Sequence, residues 1–267
     1  YRRLWTPEGS PILHHLIGLR LKLANRLPEH TVYAAMRYGS PSLKKVMEKI
    51  HVDGITHLTV LPLYPQFADS TTETIFNRIR KLNKKVKDVH FIRQFYDHPA
   101  FINAFVERMK RYNPASFDHV IFTYHSLPES HLQRIHPEYH CTGCACETAM
   151  PEYGRECYKA AAYETSRRLA SAFQLSTTDY SVSFQSRFAN KWIGPFTDER
   201  IRELAAKGVK RILVVAPSFV ADCLETIVEI SLDYKELFLS EGGNELVMAE
   251  SLNDEDFWAT AIVDIIR

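Results

Sequence analysis

Glycine is scarce, with 10 residues in 267. Neither G-x-G-x-x-G nor G-x-x-x-x-G-K occurs, so the usual backbone cradles for phosphate are missing. Charge of one sign is also missing. Lys and Arg total 33 against 32 Asp and Glu, a formal net charge of +1. Nothing in that balance asks for a nucleic acid or another polyanion. Long apolar runs are absent too. The stretch from Ile212 to Pro217 soon meets Asp222 and Glu225, far too short a run for a bilayer-spanning helix. No secretion signal is visible. These absences point to a cytoplasmic protein without nucleic-acid partners and with at most peripheral membrane contact. Cysteine is sparse but unevenly placed. Four of the five lie between Cys141 and Cys157, and the fifth is Cys223. An odd count with one tight cluster makes a poor disulfide framework and reads as metal binding in a reducing compartment.

What the chain does have is alternation. Helical periodicity over 11–27, 43 onward, 71–85, 99–111, 152–173, 198–206, 222–239 and 254–265 alternates with short apolar strands. The strands are predicted at 31–37, 55–63, 89–93, 120–124, 180–185, 211–216 and 246–249. This pattern predicts an α/β protein with parallel sheets flanked by helices. A break at Tyr112-Asn113-Pro114 divides it into an α/β half over 1–114 and a second over 115–251. The second half carries a Cys-rich insertion at 127–157, and the C-terminal segment 252–267 is expected to pack on the first half. Ligands of open α/β sheets bind beyond the carboxyl ends of strands, which directs attention to the loops there.

His125 closes the predicted strand in FTYHSLPES, where it can accept a proton, ligate a metal or simply hydrogen-bond a loop. In APSFVADCLETIVEI, Asp222 stands at the expected N-cap of a helix, and Asp222, Glu225 and Glu229 share one α-helical face at i, i+3 and i+7. Such a row repels itself unless cations or protons occupy it, unless it is only a solvated face. LPLYPQFADSTT combines two prolines at a strand exit with hydroxyl residues that cap the next helix. FQSRFANKWIGPFTDE places aromatics in a loop that suits a flat apolar ligand or a satellite core.

Together with Arg37-Tyr38, these segments resemble the ferrochelatase motifs in the same order along nearly the whole chain. The resemblance implies two flavodoxin-like halves around a porphyrin cleft, with a first strand and part of the cleft lip ahead of Tyr1. It implies insertion of ferrous iron into protoporphyrin IX to give protohaem. Coproporphyrin ferrochelatase, another tetrapyrrole chelatase and a non-catalytic haem carrier are the alternatives. By the resemblance His125 matches the active-site histidine and Glu225 the essential glutamate, both placed to meet the substrate iron. Glu229 and Asp222 match the acidic row behind it. Arg2, Arg3, Arg37 and Tyr38 match cleft positions that meet porphyrin, and Trp192 and Phe219 match aromatics near the macrocycle. Cys223 stands where many relatives have His.

Cys141, Cys144, Cys146 and Cys157 are spaced C-x2-C-x-C-x10-C. Four close thiolates require a cation and fit an iron–sulfur cluster or structural zinc, and His131, His136 and His140 keep a mixed zinc site open. Some ferrochelatases carry a [2Fe-2S] cluster, so the expected occupant is [2Fe-2S] on these four cysteines, tying down the loop, with zinc as the alternative.

Overall fold

A computed structural model describes residues 9–135 and 144–267. Six strands form two parallel sheets among these residues. β1 (His57–Val60) pairs with β2 (Asp88–Phe91), with His57 opposite Asp88. β3 (His119–His125), β4 (Tyr180–Gln185), β5 (Arg211–Val215) and β6 (Glu245–Met248) make a four-stranded sheet in the order β4-β3-β5-β6. Each parallel step needs a crossover, and helices supply it.

In the first half, α1 (Pro11–Arg26) starts on Ser10 with Pro11 in its first turn, where the missing N–H costs nothing. α2 (Leu43–Val52) is capped by Ser42 Oγ, which accepts from Lys45 N. α3 (Thr74–Leu82) is entered through a π-helical turn, Asp69–Glu73. In α4 (Pro99–Lys110), His98 is the cap, its Nδ1 accepting from Ala100 N. Leu43, Met47, Ile50, Ile79 and Val86 bury themselves against β1 and β2.

The central strand β3 is apolar on both faces, as a covered parallel strand must be. Val120, Phe122 and Tyr124 face a core that includes Phe101 and Phe105 of α4 and Leu169 of α6 (Tyr158–Ala172). Ile121 faces the other way, toward Ile201 and Leu204 of α7 (Thr197–Ala206) and Phe238 of α8 (Lys235–Ser240). The short helix α5 (Glu129–Gln133) follows β3. The last helix, α9 (Asp256–Ile265), packs on α4 and α1. Its Trp258 is fully buried beside Phe95 and Phe101. Arg108 of α4, 1% exposed, reaches Glu250 at 2.8 Å and Glu255 at 3.0 Å, and His15 of α1 meets Asp254 at 2.8 Å.

Four expectations change. The predicted strand 31–37 is not one: residues 31–35 have no ladder partner among the described residues, and only Met36 bridges, to Ser42. An extended segment becomes a strand only when its N–H and C=O groups find a neighbour. The predicted helix 152–173 breaks at Cys157, which is extended between the 3-10 turn Glu152–Glu156 and α6. The predicted helix 222–239 is π-helical over Glu225–Tyr234 before α8 begins. Asp222 caps no helix N–H. Its carboxylate instead accepts from Thr226 Oγ1, Ser251 N and Asn253 Nδ2.

Candidate active site

His125 sits at the carboxyl end of β3, opposite Gln185 of β4. Its Nδ1 lies 2.5 Å from the Ser126 carbonyl. A carbonyl only accepts, so Nδ1 carries the hydrogen, and in the neutral ring Nε2 keeps its lone pair. The FTYHSLPES and FQSRFANKWIGP segments zip together around this residue. Ser126 N donates to Gln185 O at 2.8 Å, Ser126 Oγ to Ile193 O at 2.7 Å, and Ile193 N to Leu127 O at 2.9 Å. Pro128 bridges to Trp192. That places the Trp192 ring 6.4 Å from the His125 ring, with Phe188, 84% exposed, 5.4 Å further out. The loop therefore carries an apolar shelf beside the histidine. Arg187 stacks on Phe196 and pairs with Glu199 at 2.9 Å.

The acidic segment follows β5. Glu225 opens the π-helical stretch, and Cys223 Sγ donates to its Oε2 at 3.0 Å. Burial pushes the Cys223 thiol well above its usual value, and the Glu225 charge adds to this. The thiol stays a neutral donor. Glu229 accepts from Ser186 N at 2.9 Å, from Ser186 Oγ, and from Tyr234 OH at 2.7 Å. Glu225 and Glu229 thus lie on one π-helical stretch, while Asp222 is committed to Thr226, Ser251 and Asn253 rather than to a shared acidic row. His125 and Glu225 make no hydrogen bond with each other.

Arg37 and Tyr38 come from the first half. The Arg37 guanidinium lies 4.6 Å over the Tyr38 ring, and its Nε donates to Thr74 Oγ1 at 3.4 Å. Tyr38 is 74% exposed. Tyr64, in the LPLYPQFADSTT loop, joins these groups to the acidic segment. Its phenol is raised chiefly by burial, then by Tyr38, Cys223 and Glu225, with Arg37 opposing. Arg37, Tyr38, Cys223 and Glu225 are thus all electrostatic neighbours of Tyr64. Phe219 is half-buried and packs against the core under β5 and β6. Arg2 and Arg3 lie outside the described residues.

Sequence reasoning missed Tyr64 as a site residue, although its loop stood out. It also missed Ser186 and Tyr234. Tyr234 is five residues beyond Glu229, off any α-helical face but within reach in a stretch bonded i to i+5.

Of the four clustered cysteines, Cys141 lies outside the described residues, as do His136 and His140. Cys146 is fully buried, Cys157 is 2% exposed and Cys144 is half-buried. Cys144 Sγ accepts from Cys146 N at 3.4 Å and contacts Tyr153 OH at 3.5 Å. Burial raises Cys144, but the bonds from Tyr153 and Cys146 outweigh it and lower its pKa. Burial raises Cys146 and Cys157, and the three thiols feel one another electrostatically. Lys159, paired with Glu147 at 2.9 Å, favours the thiolate form of each. Among the described residues no group of three or more His, Cys, Asp or Glu side chains is arranged to hold a metal ion. The described thiols match a thiolate-bound centre in donor type alone, and the remaining cysteine of the set lies outside the described residues.

Comparison with known proteins gives the fold and the family. The structure resembles SirB from Bacillus subtilis with Fe3+ at a TM-score of 0.62, with 13% identity, over 97% of this chain and 91% of that one. It also resembles CbiX, the terminal enzyme of sirohaem biosynthesis in denitrifying bacteria, at a TM-score of 0.59, with 12% identity, over 97% and 93%. At those identities the likeness establishes the chelatase fold. In sequence the chain is 38% identical to a ferrochelatase of Pseudomonas fluorescens biotype C, over 98% of this chain and 79% of the relative. It is 39% identical to one of Ectopseudomonas mendocina over the same shares. A ferrochelatase family profile matches residues 1–267, and the chain belongs to the ferrochelatase family.

Proposed function

We propose that this chain inserts ferrous iron into protoporphyrin IX to form protohaem, with His125 as the proton acceptor. A free-base porphyrin must lose two pyrrole N–H protons as iron enters. The observation that carries the assignment is the 2.5 Å contact of His125 Nδ1 with the Ser126 carbonyl, which assigns the hydrogen of a neutral ring to Nδ1 and leaves Nε2 as the acceptor at the strand end. Glu225, held by the Cys223 thiol, and Glu229 behind it form the acidic side along which iron arrives or protons depart. His125 and Glu225 are the groups that meet the incoming iron. Arg37, Tyr38, Trp192 and Phe219, with Arg2 and Arg3, contact the porphyrin. Trp192 supplies an apolar wall and Arg37 a cation for a carboxylate side chain of the ring.

Cys141, Cys144, Cys146 and Cys157 hold a [2Fe-2S] cluster in this reading. Bound there, it ties the segment after β3 to α6 and so supplies folding stability. No helix among the described residues is long and apolar enough to cross a membrane. Porphyrin and haem partition into lipid, so the protein works in the cytoplasm with peripheral contact at the membrane.

The test is anaerobic turnover with protoporphyrin, coproporphyrin and sirohydrochlorin, each with ferrous and cobaltous ions. Ferrous iron with protoporphyrin gives the highest kcat/KM. Preference for sirohydrochlorin, or tight haem binding without turnover, contradicts the assignment.

A further inference from the structure

One buried phenol connects the cysteine segment to the active-site strand. Cys157 is the extended residue between the 3-10 turn and α6, and the next residue is Tyr158. Tyr158 is 6% exposed, and its hydroxyl donates to the main-chain carbonyl of His125 at 3.0 Å. A main-chain carbonyl only accepts, so the phenol is the donor in this bond.

The position of this bond matters because β3 outruns β5. Pairing with β5 ends at Phe122–Val215, whereas pairing with β4 continues to His125–Gln185. From Thr123 to His125 the strand is laddered on one edge only. The His125 ring is oriented through the Ser126 carbonyl, which lies on the next peptide unit and is joined to the 125–126 unit at the Ser126 Cα, so the tilt of the 125–126 unit is carried to where Nε2 points. Gln185 steadies that unit from the β4 side through Ser126 N, and Tyr158 steadies it from α6. On the other side of Tyr158 stand the thiols, Cys157 directly adjacent in sequence and Cys146 in electrostatic contact with Cys157.

We propose that Tyr158 is a positioning residue for His125, and that through it the state of the cysteine segment is felt at the imidazole. This rests on the reading of His125 as proton acceptor. A displaced thiol segment shifts the start of α6, the phenol moves with it, and the His125 carbonyl loses its donor. The ring then turns away from the pyrrole nitrogens. Binding of porphyrin, which uses other side chains, is left nearly intact.

The experiment uses Tyr158→Phe in the full chain as purified, with its thiol ligands in place. Two quantities are read: steady-state turnover, and the 15N imidazole resonances of His125, assigned by their loss in His125→Ala. Loss of one buried hydrogen bond is expected to lower kcat about tenfold with KM for porphyrin changed by less than about twofold, and to shift the His125 resonances. Cys157→Ser should shift the same resonances in the wild-type background and add nothing in the Tyr158→Phe background. Cys146→Ser replaces it if that variant does not fold. Tyr158→Phe with wild-type kcat and unmoved His125 resonances overturns the proposal. Equal effects of the cysteine substitution with and without Tyr158 overturn the coupling. The two readings fail separately: an inactive wild type refutes the enzymatic one, whereas an active wild type, a dead His125→Ala and a normal Tyr158→Phe refute only this one.

Discussion

The thiol of Cys223 donates a hydrogen bond to Glu225 Oε2 at 3.0 Å. A buried, protonated thiol thus stands beside the carboxylate. One oxygen of Glu225 is therefore fixed and the other is left for the cleft. A serine hydroxyl can make the same bond and alanine cannot. Cys223→Ser should keep kcat/KM for ferrous iron within a few-fold of wild type, while Cys223→Ala should lower it about tenfold, the scale of a hydrogen bond to a charged group. Equal activity of Ala and wild type in an initial-rate series against iron concentration would show that the thiol does not hold Glu225.

His119, at the start of β3, is 7% exposed, with Nε2 3.0 Å from Ser181 Oγ. Burial, followed by the nearby Arg200 charge, lowers its pKa from 6.5 to about 4. The folded state therefore keeps this ring neutral where the unfolded chain protonates it. Between those two values the unfolded state binds more protons, so stability falls as pH falls. The contribution is complete above pH 6.5 and has gone once pH drops through about 4. Denaturant titrations across that window should show a shallower pH slope for His119→Gln than for wild type. Superimposable slopes would contradict the buried neutral histidine.

Protein purified without oxygen should be red-brown and contain iron and acid-labile sulfide in equal amounts. Serine at Cys146 or Cys157 should bleach it and lower its melting temperature, because metal binding and folding are coupled at such sites. Colourless protein carrying stoichiometric zinc and no sulfide would replace the cluster with a zinc site and leave the chelatase assignment standing.

The alternation of apolar strands with amphipathic helices is legible in the sequence because covered parallel strands leave continuous β-branched runs. Those runs also mark where His125, Glu225 and Trp192 emerge. The rest depends on partners far along the chain or on helix pitch. Residues 31–37 have the composition of a strand, but composition cannot say whether an edge is free to receive them. The π-helical stretch Glu225–Tyr234 is hidden because ten residues of apolar periodicity do not separate its pitch from 3.6. With the wrong pitch, Asp222 joins an acidic face that it does not occupy, and Tyr234 is missed as the donor to Glu229. Tyr64 and Tyr158 act on groups distant in sequence, and no local spacing announces them.

The proposed role of His125 is to take a pyrrole proton as iron enters the ring. Initial rates of anaerobic ferrous insertion into protoporphyrin, compared between wild type and His125→Ala with porphyrin binding followed separately by fluorescence, test it most directly. Positioned proton acceptors contribute about a hundredfold or more. His125→Ala should bind porphyrin with near-normal affinity and lose at least about a hundredfold in kcat. A His125→Ala enzyme that inserts iron at close to the wild-type rate would contradict that role.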